Sequence, residues 1–181
     1  HESAHIDGLV TSMVRGAFEF QGQKCSALSR AYIPSTIWDE VKEKFIAEVN
    51  TIKMGDPEDF THFVNAVIDK SAFDSISRYI DYAKNADDAE ILTGGSYDDS
   101  VGYFIEPTSI LTTDPQFKTM EEEIFGPVLT IYVYDPKDWD ETLRLVDSTS
   151  PYALTGAVFA DDSEIVNEVK QTLLYSAGNF Y

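Results

Sequence analysis

Seven consecutive residues, Val128-Leu-Thr-Ile-Tyr-Val-Tyr134, form an almost continuous apolar and β-branched run. A strand with one wet face would alternate apolar and polar positions, whereas an unbroken run suits a strand covered on both faces of a sheet. Whatever else the chain does, it has to supply apolar cover for both sides of this strand. Amphipathic helices at several places in the sequence can do so.

From Ile6 to Phe20, apolar residues recur at spacings of three and four, at Ile6, Leu9, Val10, Met13, Val14, Ala17 and Phe18. This predicts a helix with a wide apolar face, with Asp7 favourably placed in its first turn and an end near Gly22. Lys24-Cys25-Ser26 then falls in the turn that follows. Ser29–Ile33 reads as a short strand stopped by Pro34. Ser35 or Thr36 is expected to cap a second helix running to about Ile52, with Ile37, Val41, Phe45 and Val49 inward and Gly55-Asp-Pro57 beyond it. Asp69 or Ser71 opens a third, with Phe73, Ile76, Ile80 and Ala83 as its stripe and Tyr79 and Tyr82 at the edge of the core.

Glu90–Thr93 reads as a strand followed by a Gly94-Gly95 turn, and residues 102–112 look extended. Asp138–Asp147 and Asp162–Leu174 are expected to be helical, and Leu154–Ala160 to be a buried strand. Strands that alternate with helices of this length indicate an α/β fold, a largely parallel sheet with helices on both faces. No internal repeat and no Gly/Ser/Pro-rich linker divides the chain, so residues 1–181 are read as one domain.

Charge narrows the partners. Acidic residues outnumber basic ones 32 to 13, giving a net charge of −19, which opposes binding to phosphate backbones and to anionic membrane surfaces. No window approaches the roughly 18 apolar residues of a membrane span. The single cysteine, Cys25, cannot form an internal disulfide, so the fold rests on packing.

Several motifs compete for chemistry. His1-Glu-Ser-Ala-His5 has the spacing of a zinc-protease helix, but His1 has no preceding turn to hold it in a helix and His62 lies in an apolar context far away. Gly94-Gly95 lacks the further glycines or the lysine of a phosphate loop, and Asp98-Asp99 reads as a solvated turn. Cys25 is different. It follows an apolar helix and a glycine, has Lys24 beside it, and is followed by the small Ser26 and Ala27, which leave room for a substrate. A cation or exposed backbone N–H groups there can stabilise a thiolate and a developing oxyanion. With three histidines and none in a recognisable position, a Cys–His hydrolase is poorly supported.

Phe20-Gln-Gly-Gln-Lys-Cys-Ser-Ala27 resembles the nucleophile loop of aldehyde dehydrogenases, and Glu122-Glu-Ile-Phe-Gly-Pro127 resembles their second signature, about a hundred residues later. Asp98-Asp-Ser-Val-Gly-Tyr-Phe104, Asp147-Ser-Thr-Ser150, Leu154-Thr-Gly-Ala-Val-Phe159 and Ala177-Gly-Asn-Phe-Tyr181 are similar to the delta-1-pyrroline-5-carboxylate dehydrogenase branch, the eukaryotic type in particular. The resemblance covers essentially the whole chain.

The resemblance implies the catalytic domain of an enzyme that oxidises glutamate γ-semialdehyde to glutamate with NAD, in proline breakdown. On that basis Cys25 is the nucleophile, forming a thiohemiacetal and then a thioester, and its own backbone N–H helps to hold the oxyanion. Glu123 would bind the nicotinamide-ribose hydroxyls, Phe125 would pack beside the cofactor, and Lys24 and Ser26 would flank the substrate. It further implies a homo-oligomeric parent enzyme in the mitochondrial matrix. The cofactor-binding domain and the glutamate that activates the hydrolytic water are expected ahead of His1, so the fragment alone is expected to be inactive. Two alternatives stay open: an aldehyde dehydrogenase domain of other specificity, and a non-catalytic α/β association module.

Overall fold

The run that opens the argument becomes the inner strand β6 (Val128–Tyr134) of a four-stranded sheet in a computed structural model that describes residues 1–181. Its neighbours are β1 (Arg30–Pro34) and β5 (Thr108–Thr112), both parallel to it, and β2 (Ala89–Thr93) lies antiparallel outside β5. The order is β1-β6-β5-β2, with Arg30 opposite Thr130 and Thr108 opposite Val128. A register shift between Ile91 and Thr93 bends the antiparallel edge. The largely parallel α/β architecture expected from the sequence is the one observed.

Both faces of β6 are covered over most of its length. Leu129 and Ile131 pack with α1 (Ile6–Phe18) and α2 (Ser35–Val49), through Met13, Phe18, Val41 and Phe45. On the other face Val128 joins Ile110 and the stripe Phe73, Ile76, Ile80 of α3 (Lys70–Lys84). Each large side chain so buried contributes roughly 1.5–3 kcal/mol, which explains why the chain gives three helices to covering one short sheet. The polar member of the run, Thr130, is fully buried, and its hydroxyl meets that of Thr119 at 2.6 Å. Thr119 lies in the short helix α4 (Lys118–Glu121).

The caps and ends show where local signals held. Asp69 caps α3, accepting from the Ala72 N–H at 2.8 Å. The expected cap of α2 does not form: the helix starts at Ser35 after Pro34 with no side-chain cap, and the Thr36 hydroxyl instead donates to Glu2 at 3.1 Å. That helix also stops at Val49, short of Ile52. α1 ends at Phe18, because Phe20 and Gln21 turn into the left-handed region at φ 55° and 57° within a 3-10 turn, Glu19–Gly22. Two tiny strands, β3 (Tyr97–Asp98) and β4 (Phe104–Ile105), pair antiparallel beside α3.

The C-terminal third forms its own small core, in which Leu143 of α5 (Trp139–Ser148) meets Val169 of α6 (Ser163–Thr172) and Leu173. The strand expected over Leu154–Ala160 is mostly not one. Only β7 (Thr155–Gly156) is a strand, parallel to β8 (Asn179–Phe180), and residues 157–160 are not, although the Val158 N–H still donates to the Tyr181 carbonyl at 3.2 Å. Apolar composition favours a buried strand, but a ladder also needs a neighbour to bond to, and here one side has none.

Candidate active site

The Cys25 turn is built by a chain that reverses direction abruptly after α1. Phe20, Gln21 and Gly22 are all left-handed, the last at φ 64°. For the two non-glycine residues that conformation costs about 1–2 kcal/mol each, so the surroundings must hold them. Gln21 is buried and its side-chain amide donates to the Ala66 carbonyl at 3.2 Å, while the Gln23 side-chain amide oxygen Oε1 accepts from the Ile68 N–H at 2.8 Å. Downstream, the Leu28 N–H donates to the Gly16 carbonyl at 2.9 Å, and the Ala27 N–H closes a turn onto Lys24 at 3.0 Å. The thiol of Cys25 is thereby exposed at the tip of a fastened loop. Neither its N–H nor that of Ser26 donates to another protein group, so both are available to a ligand oxygen.

The other motif lies against this loop. A Cβ on Gly22 would stand 2.2 Å from the Gly126 carbonyl oxygen, so the two backbones touch where neither could carry a side chain. Gly126 is closed in from its other side too, its virtual Cβ lying 2.5 Å from Ile76 of α3. The third left-handed non-glycine residue in the chain is Phe125, at φ 57°, with 44% of its surface exposed. All three such residues therefore sit in the two motifs, where backbone strain is commonly concentrated at functional sites.

The structure brings all five residues singled out from the sequence to one cleft of about 880 Å³, lined by Lys24, Cys25, Ser26, Glu123 and Phe125. Glu123 is exposed and makes no hydrogen bond or ion pair within the chain, so its carboxylate is free to accept from hydroxyl groups. Lys24 points its ammonium toward Glu19, at 4.0 Å, and is thus shared rather than dedicated to the thiol. The Ser26 carbonyl accepts from the Thr155 hydroxyl at 3.5 Å, which ties the loop to β7.

Three contributors were not singled out in the sequence. Gln21 and Gln23 fasten the loop, and no local pattern marks their distant partners. Tyr79, read as a core-edge residue, donates its hydroxyl to Glu122 at 2.5 Å and so holds the residue next to Glu123. That bond to a carboxylate pushes the Tyr79 phenol up to about 12. Lys118 lies over the same ring at 5.3 Å. The His1/His5 pair forms no helical metal face, because α1 begins at Ile6 and the His5 ring caps it by accepting from the Gly8 N–H at 3.1 Å.

Known proteins resemble the chain over its whole length. The family model described as "Aldehyde dehydrogenase family" matches residues 1–181. A mitochondrial delta-1-pyrroline-5-carboxylate dehydrogenase of Dictyostelium discoideum is 52% identical over the whole chain, and the human protein of that name is 49% identical. In both cases the chain spans 32% of the relative's length, about a third. A crystal structure of the delta-pyrroline-5-carboxylate dehydrogenase from Mycobacterium tuberculosis bound with NAD superposes with a TM-score of 0.93 at 42% identity, covering all of this chain and 32% of that one. The betaine aldehyde dehydrogenase of Staphylococcus aureus in complex with NAD+ gives 0.89 at 31% identity, over 99% of this chain and 35% of its own.

Proposed function

The chain belongs to the aldehyde dehydrogenase family, and from that premise we propose that it is the nucleophile-bearing part of an NAD-dependent dehydrogenase oxidising glutamate γ-semialdehyde to glutamate. The observation that carries the reading is the backbone contact of Gly22 with Gly126, which sets Cys25 and the pair Glu123 and Phe125 on one cleft. The choice of substrate follows identities of 52% and 42% to delta-1-pyrroline-5-carboxylate dehydrogenases against 31% to a betaine aldehyde dehydrogenase.

Cys25 attacks the aldehyde carbon as the thiolate, making a C–S bond and pushing the carbonyl electron pair onto oxygen. The N–H of Cys25, free of protein partners, donates to that oxyanion. A bound NAD would supply the hydride acceptor that this tetrahedral carbon needs. The resulting thioester is hydrolysed by water, releasing the carboxylate and restoring the thiolate. The unpartnered Glu123 carboxylate suits the ribose hydroxyls of such a cofactor, and the half-exposed Phe125 ring gives it an apolar face. Lys24 and Ser26 flank the substrate, where a cation and a hydroxyl suit a dicarboxylate product. The hydrolytic base and the nucleotide-binding fold are assigned to the remainder of a longer protein, so the 181-residue chain alone neither binds NAD tightly nor turns over. Mitochondrial location and a homo-oligomeric parent belong to the same reading.

The test is NADH formation from glutamate γ-semialdehyde by the longer protein. Cys25→Ala abolishes it while Glu123→Gln mainly raises the KM for NAD. An unchanged rate in Cys25→Ala removes the catalytic reading, and a preference for an unrelated aldehyde removes the substrate assignment.

A further inference from the structure

Residues 122–127 join α4 to β6 without regular structure of their own, so neighbouring elements must fix where Glu123 and Phe125 stand. Much of that support comes from α3. Ile76 closes on Gly126, whose virtual Cβ lies 2.5 Å from its side chain, and Ile124 is buried in the cluster that contains Ile76 and Ile80. One turn further along the helix, the Tyr79 hydroxyl donates to the Glu122 carboxylate at 2.5 Å. Residues 122, 124 and 126 are thus tied to the helix side, and the two between them, Glu123 and Phe125, stand exposed in the cleft.

The Tyr79–Glu122 bond is the only side-chain hydrogen bond made to residues 122–127. Lys118 of α4 steadies both of its partners. The Lys118 ammonium lies 5.3 Å from the centroid of the Tyr79 ring and as far from that of Tyr82, while its carbonyl accepts from the Glu122 N–H at 3.0 Å. A short bond from a hydroxyl to a carboxylate is charge-assisted, and such bonds are among the strongest that fix side-chain geometry. The carboxylate pushes the phenol up to about 12, so Tyr79 remains a donor at neutral pH. Helix α3 makes a second bond of this kind, in which the Tyr97 hydroxyl donates to Asp81 at 2.8 Å, but neither of those residues lines the cleft.

On the reading that Glu123 binds the ribose hydroxyls of NAD, we propose that Tyr79 is a positioning residue for cofactor binding, whose hydroxyl anchors Glu122 and so sets the backbone from which Glu123 reaches the cofactor. Tyr79 does not itself line the cleft, so it acts through Glu122. Without the bond the segment keeps its hold at Gly126 but not at Glu122, and Glu123 must be ordered when NAD binds. The loss falls on affinity for NAD and spares the thiol and its aldehyde.

Calorimetric titration of NAD into the longer protein tests this, with KM values as a second readout. Tyr79→Phe, which keeps the ring beneath Lys118, is expected to raise the Kd and KM for NAD about tenfold, as loss of a partner that orients a ligand-binding group commonly does, while the KM for the aldehyde is unchanged. Glu122→Ala weakens NAD to the same degree, and the double variant is no weaker than either single one, because the bond is already lost. Glu122→Gln, whose amide oxygen still accepts from Tyr79, stays near the parent, as does Tyr97→Phe. An unchanged Kd for NAD in Tyr79→Phe overturns the proposal, whether or not its unfolding midpoint falls. So does a loss confined to the Glu122 variants, which would mean that Glu122 meets the cofactor directly. Glu123→Gln tells the two readings apart: if it weakens NAD and Tyr79→Phe does not, only the positioning role is lost, whereas if neither does, the cofactor role of Glu123 falls as well.

Discussion

Gly22→Ala tests the joint on which the site depends. The new Cβ would lie 2.2 Å from the Gly126 carbonyl oxygen, 2.7 Å from its carbon and 2.8 Å from the Ala17 carbonyl oxygen, whereas ordinary contact begins at 3.4 Å. All three are backbone atoms, so relief requires one motif to retreat from the other by about 1 Å rather than a side chain to rotate. The left-handed φ adds about 1–2 kcal/mol, and overpacking adds about 1–3 kcal/mol. The expected loss is about 2–5 kcal/mol, a large part of a typical domain's 5–15 kcal/mol. Gly95→Ala supplies the control: its φ is 89°, but its nearest neighbours are side-chain atoms of Ile91 and Lys84 at 3.2 and 3.4 Å. It keeps the backbone cost without the backbone clash. Urea unfolding followed by circular dichroism, with midpoints compared at constant m, should place Gly22→Ala at least about 1 kcal/mol below Gly95→Ala. In the longer enzyme the same retreat should cost about 100-fold in turnover. Equal midpoints for the two variants would refute the claim that the Gly22–Gly126 contact holds the motifs together.

Exposure of Cys25 predicts that native protein consumes one equivalent of an aromatic disulfide reagent without unfolding; a reaction seen only in denaturant would contradict the loop geometry. Tyr79 predicts a pH effect. Its phenol is raised from 10.0 to about 12 by the Glu122 bond, so its contribution to stability is complete below pH 10 and is lost as pH rises toward 12. Tyr134, raised to about 12 chiefly by burial, loses stability in the same window. Unfolding midpoints in Tyr79→Phe should accordingly fall less steeply above pH 10 than in the parent, without becoming flat, and a parallel curve would count against the bond. Within the core, Thr130→Val strands the buried Thr119 hydroxyl and should cost about 1–3 kcal/mol, while Thr119→Val with Thr130→Val together should cost clearly less. Additive losses measured by thermal unfolding would deny that the two hydroxyls are partners.

These expectations rest on features of unequal visibility in the sequence. β6 is legible in the sequence because burial on both faces holds at Val128 to Ile131 and at Tyr134, with only Tyr132 and Val133 part-buried. Asp69 was legible as a cap because capping needs only a short side chain and an N–H three residues on. The helix through Phe20 was not, because local apolar spacing favours continuing, while the left-handed reversal is held by Gln21 bonding Ala66 and Gln23 bonding Ile68, each 45 residues away. The cap of α2 failed likewise when Thr36 found Glu2.

The same division runs through the site. Motif order in the sequence indicated that Cys25 and Glu123 belong together, but what joins them is the absence of two side chains, at Gly22 and Gly126, where the backbones meet. A glycine in a turn signals conformational freedom and says nothing of what lies against it. The segment 154–160 makes the converse point. Its apolar character reads as a buried strand, but only Thr155 and Gly156 form one, with β8, and beyond them the pairing continues in the bond from the Val158 N–H to the Tyr181 carbonyl. Apolar composition reports burial, but a strand also needs an aligned neighbour to bond to. Because the Thr155 hydroxyl bonds the Ser26 carbonyl, this same segment bears on how firmly the nucleophile loop is held.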